Sequence, residues 1–374
     1  MAEVAVPKLE SPQERKVDAA SRLTSLDLFR GLTIASMVMV NNPGNFSTTY
    51  GQLLHAEWHG WTFTDLVFPF FLWIVGVAMT LSTARRLERG EERSGLLAHV
   101  IRRAALIFLI GLLLNGFPRY AFATLRIPGV LQRIAVCYLI AGIIYLYTSW
   151  RGRIYWLLGF LASYTLLMHP GGYEKGTNLA AQLDAWLLTG HMYGATKTWD
   201  PEGILSTLPA IGTCLFGILT GDFLRTTLRR AEKTAWMLVA GNVLIFLGKV
   251  IDIWQPINKM IWTCSYSIFT AGMALVVFGI CYWLVDVNHY RKGWTRPLVI
   301  FGMNALAVYI FSGVLARLVG LWKVSDVSVK RATYDSLAAA LNPYHASLTY
   351  ALLNVAVCFL FAWILYRRQW FLKL

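Results

Sequence analysis

Charge is what this sequence has least of. Only 14% of its 374 residues are charged while 56% are hydrophobic, which excludes a soluble domain of this length with an ordinary polar surface. The five cysteines (Cys137, Cys214, Cys264, Cys281, Cys358) fall in apolar stretches and form no CxxC pair. Neither a disulfide framework nor a thiolate metal site is therefore indicated, and they read as small packing residues. HExxH, low-complexity tracts and convincing short-period repeats are absent as well. So is any sign of a cleavable leader, because residues 1–22 are polar and the first apolar run is of spanning length rather than a short signal core. That segment is expected to be a disordered cytoplasmic tail ahead of one transmembrane domain, residues 23–374.

What the chain does have is apolar runs of about 16 to 26 residues, near 27–42, 63–83, 98–117, 128–148, 154–169, 203–221, 234–251, 260–285, 297–318 and 347–366. A helix needs roughly 20 residues to cross a bilayer. The fold class expected is all-α, a polytopic membrane helical bundle of about ten transmembrane helices. The fifth run is short, and the stretch before the sixth holds its own partly apolar piece, LAAQLDAWLL.

Lys and Arg accumulate in cytoplasmic loops. The amino tail through Arg30, the loop RRLERGEERSGLLAHVIRR, RGR at 151, RTTLRRAEK, RKGWTR and the carboxyl tail hold 23 of the 34 basic residues, against ten in the opposite loops. With ten spans both termini are cytoplasmic. The formal charge of +14 is then mostly a topological signal, and no nucleic-acid partner is expected. The long outer loops, 42–62, 170–202 and 319–346, could roof a cavity.

Polar groups inside spans are expensive, about 3 kcal/mol for an ionised side chain at the bilayer centre, and need a partner or a watery cavity. Asp27 and Arg30 share one face of the first helix and can pair. Asp65 opens the second helix, ten residues after His55, where it can cap the helix end or orient an imidazole. His55 and His59 have the i, i+4 spacing of a zinc pair, but no third ligand is evident and no metal is expected. RIPGVLQR, 126–133, sets Arg126 and Arg133 two helical turns apart, with Gln132 beside them. TWDPEGIL, 198–205, brackets a proline with Asp200 and Glu202, as a helix start would. Lys259, Ser265, Tyr266, Asn304 and Tyr309 complete the polar inventory.

SLDLFRG at 25, VNNPG at 40, HAEWHGWTFTDLVFPFFLWIVG at 55, RIPGVLQR at 126, DPEGIL at 200, NKMIWTCSY at 258 and GMNALAVYI at 302 together resemble the transmembrane acyltransferases typified by heparan-alpha-glucosaminide N-acetyltransferase. The match runs in order from about residue 22 to the carboxyl end. The large amino-terminal lumenal domain of the lysosomal enzyme is lacking, so the expectation is a compact bacterial-type relative in the inner membrane.

The resemblance implies transfer of acetyl from cytosolic acetyl-CoA, as co-substrate, to the amine of a glucosamine-type sugar on the far side of the membrane. By position, the catalytic histidine corresponds to His55 and an asparagine associated with the site to Asn41. His59 falls outside the family pattern. Imidazole suits removal of a proton from an attacking amine, or it can carry the acyl group itself. Asp65 would orient it, as the third member of a triad does. Arg30, Arg133, Gln132, Asn304 and Ser265 are the candidate donor contacts. Glu202, Asp200, Arg126, Lys259 and His59 are the candidates for the acceptor. Membrane lipid and a homodimer are allowed for as partners. A sugar transporter and an O-acetyltransferase of a surface glycan are the competing readings.

Orientation is directly testable. Single cysteines introduced at Thr48 and Arg89 should label from outside the cell and only after permeabilisation, respectively; the reverse pattern would overturn the topology.

Overall fold

The computed structural model describes residues 23–290, 293–324 and 326–372; the expected amino-terminal tail lies outside the described residues. Thirteen α-helices are present among them: α1 (Thr24–Asn41), α2 (Phe63–Glu88), α3 (Arg93–Gly116), α4 (Val130–Tyr147), α5 (Trp150–Met168), α6 (Leu179–Leu188), α7 (Thr207–Leu224), α8 (Arg230–Ile251), α9 (Cys264–Tyr282), α10 (Thr295–Met303), α11 (Ala305–Leu321), α12 (Val329–Ala338) and α13 (Pro343–Arg367). A two-stranded antiparallel hairpin, β1 (Lys323–Val324) and β2 (Val327–Ser328), precedes α12.

The chain is a multi-pass helical membrane protein. Seven helices (α2, α3, α4, α7, α8, α9, α13) are long and apolar enough to cross a bilayer, and α10 with α11 makes an eighth if the pair is one broken span. The remaining apolar runs form α1 and α5, 18 and 19 residues long but less apolar. α2, α4, α7 and α9 are mostly buried within the protein, whereas α3, α8 and α13 turn most of their surface outward. An aromatic cluster joins α1, α2 and α9, with Phe29, Phe70, Trp73 and Phe278 at centroid separations of 5.2 to 6.0 Å.

Three expectations need correcting. The run 297–318 is not one helix, because α10 and α11 meet at 84° on either side of Asn304. The carboxamide of Asn304 ties down the chain end, its Nδ2 donating to Trp370 O at 3.0 Å and its Oδ1 accepting from Leu372 N–H at 3.3 Å. The run at 203 starts its helix later, at Thr207, since the preceding backbone amides of Asp200 and Ile204 donate to the Asp184 carboxylate instead. α4 begins at Val130, so Arg126 is not on its helical face.

α2 contains Pro69, which has no N–H for the carbonyl four residues back. That carbonyl belongs to Asp65, and it is satisfied from another helix: the Tyr266 hydroxyl on α9 donates to Asp65 O at 2.5 Å. The loops sort to two ends of the bundle. At one, Trp58 Nε1 donates to Tyr173 O (2.9 Å) and Gly60 N–H to Ile257 O (2.7 Å), joining the α1–α2, α5–α6 and α8–α9 connections. At the other, Arg225 pairs with Glu88 at 2.6 Å, Arg153 with Asp222, and Arg230 donates to Asp286 O at 2.7 Å.

Small residues let backbones touch, as membrane helix interfaces require. A β carbon on Gly31 of α1 would lie 1.7 Å from Leu298 O of α10, and one on Gly217 of α7 would lie 2.0 Å from Trp73 O of α2. Gly217→Ala should therefore destabilise the detergent-purified protein by about 1–3 kcal/mol or more, the usual cost of overpacking. Gly51→Ala, where nothing lies within 4 Å, should leave the thermal unfolding midpoint unchanged. Equal midpoints for the two variants would contradict the packing.

Candidate active site

The α1–α2 connection carries the histidine, and the first turn of α2 fixes it. Asp65 stands at the third position of α2, where the Thr62 hydroxyl and the Asp65 carboxylate form a capping box. Asp65 Oδ2 accepts from the backbone N–H of Thr62 and of Ala56, each at 3.0 Å. Its Oδ1 meets His55 Nδ1 at 2.6 Å. The carboxylate side chain is 1% exposed and the imidazole 39% exposed. A carboxylate can only accept, so Nδ1 carries the proton and the Nε2 lone pair faces away from Asp65. Capping and orienting, which the sequence offers as alternatives for Asp65, are both performed at once.

Nε2 points toward Lys259 on the α8–α9 connection, whose Nζ lies 3.4 Å away. His55, Lys259, Glu202 and Asn41 line one mouth of a cavity of about 340 Å³, within the roughly 300–1,000 Å³ of small-molecule sites. Arg30 and Arg103 line its far end, together with Tyr138, Gly302 and Leu372, and the wall between is apolar, with Val67, Phe71, Ile74, Ile107, Ile134 and Leu306 prominent. Arg30 and Asn41 are eleven residues apart on α1, so the two ends are separated by ~16 Å of helix. Arg30 pairs with Asp27 at 2.8 Å and donates to Gly302 O at 3.3 Å. Arg103 lies 5.1 Å above the Tyr138 ring, and its Nε has no hydrogen-bond partner among the described residues.

Glu202 is held by a built support. Arg126 Nη2 lies 2.5 Å from Glu202 Oε2 and 2.6 Å from Asp200 Oδ1, while its Nε donates to Asp200 Oδ2 at 2.9 Å. The guanidinium sits 4.7 Å from the Tyr193 ring. Beneath it, Arg133 Nη2 reaches Gly203 O (3.0 Å) and Ser206 Oγ (2.5 Å) and lies 5.2 Å over Trp262. Arg126 and Arg133 therefore converge on the 200–206 segment without sharing a helix face.

Of the residues singled out in the sequence, the structure brings His55, Asp65, Asn41, Glu202, Lys259 and Arg30 to the cavity or to the residue that holds its histidine. Others stand apart. Arg133, Gln132, Asn304 and Ser265 are buried but off the cavity wall. Ser265 spends its hydroxyl on Thr263 at 3.0 Å, Gln132 packs against Gly111 and Gly129, and Asn304 ties down the chain end. Asp200 and Arg126 act as supports of Glu202. His59 meets Glu174 at 3.6 Å and Asn258 at 3.4 Å, on a stretch that is not helical. Sequence reasoning missed Asp184 on α6, whose carboxylate bonds the 200–204 backbone so closely that a β carbon on Gly203 would lie 2.0 Å from its Oδ2. The available signal was an acid inside the otherwise apolar LAAQLDAWLL.

Partial burial and the Lys259 ammonium hold the His55 imidazole below its ordinary 6.5, against the raising influence of Asp65 and Glu202. Removing the cation should therefore raise this value and removing the anion should lower it. Histidine C2 hydrogen–deuterium exchange read by mass spectrometry should give a His55 midpoint below 6.5, moved up by Lys259→Met and down by Asp65→Asn. A wild-type midpoint above 6.5 would contradict this electrostatic balance.

A family model for the catalytic region of heparan-alpha-glucosaminide N-acetyltransferase matches residues 22–254. Heparan-alpha-glucosaminide N-acetyltransferase of Homo sapiens is 30% identical over 421 residues, covering 94% of this chain and 60% of that protein. The Mus musculus enzyme of the same name is 29% identical over 427 residues, covering 97% of this chain and 62% of its own length. This chain thus spans about 60% of the length of these relatives. With its His55-bearing loop, α2 and the DPEG turn all inside the matched region, the chain belongs to the heparan-alpha-glucosaminide N-acetyltransferase catalytic family.

Proposed function

We propose that the protein is an integral-membrane acetyltransferase that moves acetyl from cytosolic acetyl-CoA to the amine of a glucosamine-type sugar on the extracytoplasmic side, in a bacterial cytoplasmic membrane. The observation that carries this reading is the cavity itself, with arginines at one end, an imidazole–carboxylate pair at the other and an apolar bore between them. A donor of this class has the same three parts: phosphates that favour guanidinium groups, a long weakly polar arm, and a reactive thioester at its tip. Arg30 and Arg103 suit the phosphate end, and the thioester then falls beside His55. The excess of basic residues in alternate loops supports assigning the arginine end to the cytoplasm.

At the reacting end His55 Nε2, with its lone pair free of Asp65, takes the proton of the attacking amine. Asp65 holds the tautomer and stabilises the imidazolium that forms. Asn41, the last residue of α1 and part of the cavity wall, is the candidate donor to the developing oxyanion, a contact worth about 3 kcal/mol when preorganised. Glu202, fixed by Arg126, is the candidate anion for the acceptor's ammonium or hydroxyl groups.

The test is direct. Purified protein incubated with acetyl-CoA and glucosamine should release free thiol and form an amide product, which mass spectrometry separates from an ester. His55→Ala should lower turnover by about a hundredfold or more while an acetyl-CoA-induced thermal shift persists, because the arginine end is untouched. Retention of most activity by His55→Ala would remove His55 from the chemistry. Sugar uptake into proteoliposomes without thiol release would replace the enzyme with a transporter.

A further inference from the structure

We infer that Lys259 is the proton donor to the departing sulfur, a catalytic acid paired with the His55 base; this rests on the acetyl-transfer reading above. The geometry is specific. Lys259 Nζ and His55 Nε2 are 3.4 Å apart and line the same cavity mouth. The attacking nitrogen and the leaving sulfur occupy two positions on one tetrahedral carbon, separated by less than two bond lengths. Two proton-handling groups at such a spacing can serve the two substituents of that carbon simultaneously, one from each side.

The step balances. The acceptor nitrogen's lone pair forms the C–N bond at the thioester carbonyl carbon, and its proton goes to Nε2. As the carbonyl re-forms, the C–S bond breaks and its electron pair leaves on sulfur, which takes a proton from Nζ to become the free thiol. The imidazolium then returns its proton to the neutral Lys259 amine beside it, and both groups are restored.

The surroundings favour this division of labour. A thiolate released into a mostly apolar cavity is costly to leave unprotonated. His55 is faced by Asp65 from α2, Glu202 from the turn before α7 and Lys259 from the α8–α9 connection; Lys259 in turn is faced by His55, Asp65 and Glu202, with Arg126 and Arg133 beyond. Burial pulls the Lys259 ammonium below its ordinary 10.5, against the raising influence of Glu202 and Asp65, which makes its proton easier to give. An effective base and an effective acid both work best with proton affinities drawn toward the operating pH, and here both are moved, one to keep the imidazole neutral and the other to loosen the ammonium proton.

The distinguishing experiment varies the leaving group. With acetyl-CoA, whose alkyl thiolate needs protonation in the cavity, Lys259→Met should lose about a hundredfold in kcat/KM. With an acetyl thioester of an electron-poor aryl thiol, whose thiolate is stable unprotonated, the same variant should lose less than tenfold. Lys259→Arg, which keeps the charge but does not yield its proton, should resemble Lys259→Met in this comparison. The alkaline limb of the wild-type kcat profile, lying below 10.5, should vanish in Lys259→Met. Equal losses with both donors, or a fully active Lys259→Met, would overturn the assignment. Thermal unfolding and the acetyl-CoA-induced shift identify a folded variant; if Lys259→Met does not fold, Lys259→Gln and Lys259→Arg carry the same comparison. Wild-type protein inert toward both donors would remove the acetyl-transfer reading and this inference with it, an outcome distinct from a selective change in leaving-group dependence.

Discussion

One carboxylate organises the histidine-bearing end of the cavity. Asp65 caps α2, clasps the Ala56 and Thr62 amides, and holds His55 Nδ1 at 2.6 Å. It can do all three because an ionised carboxylate has two oxygens with several acceptor positions, and because the amide-rich end of a helix favours negative charge. The cost of burying it is offset by those donors. Its own carbonyl, orphaned by Pro69, is tied to α9 through Tyr266. The loop bearing the histidine is therefore fastened to two of the most enclosed helices of the bundle, and the imidazole inherits their rigidity rather than the freedom of a connection between spans.

The same logic repeats on the opposite wall. Glu202 stands on a turn with no regular secondary structure, yet Arg126 forks it together with Asp200, and Asp184 and Arg133 bind the turn's backbone from below. Charges that would be prohibitive singly become tolerable when paired, as Arg126 is with Asp200 and Glu202, while buried Arg133 is hydrogen-bonded through Nη2 and stacked over Trp262. The network's product is a single carboxylate presented to the cavity. Between this rim and Arg30 the bore is lined mainly by apolar side chains, with Thr64 and Tyr309 among them, so the charged groups stand at its two ends, the arginines at the end proposed for the donor's phosphates.

Much of this was legible in the sequence. Nine of the ten apolar runs each contain one helix and the run 297–318 holds two, because the bilayer's demand for about 20 apolar residues is written in composition and length. The His55–Asp65 pairing was suggested by a titratable cluster at the head of a span. What was illegible depends on three-dimensional closure. Seven residues separate Arg126 from Arg133, yet the helix begins between them; nothing local in RIPGVLQR shows that the Asn115 carboxamide donates to the Arg126 and Pro128 carbonyls, both at 2.9 Å, and keeps that segment extended. Asn304 reads as a polar group available to a ligand, but its carboxamide is consumed by the chain end, 66 residues away. Asp184 was hidden in a short helix that looked like filler between spans. In each case a polar side chain's partner is distant in sequence, and periodicity carries no information about it.

Lys259 shows how that blindness affects a functional assignment. In NKMIWTCSY it is a basic residue at a span's edge, where solvated cations are commonplace. Its meaning changes because Asn258 folds the connection back on itself: Oδ1 accepts from Ile261 N–H at 3.1 Å, while the backbone N–H of Asn258 donates to Thr263 Oγ1 at 3.0 Å. That compact turn, further fastened by Gly60 N–H on Ile257 O, holds the ammonium over the imidazole instead of releasing it to solvent. A base alone needs only the Asp65 side of His55, which a helix cap supplies. The fixed cation on the other side lies 3.4 Å from the ring nitrogen whose lone pair the proposed transfer needs. The α8–α9 connection and the α1–α2 loop are thus fastened to each other, and the proposed acid and base face one another across that junction.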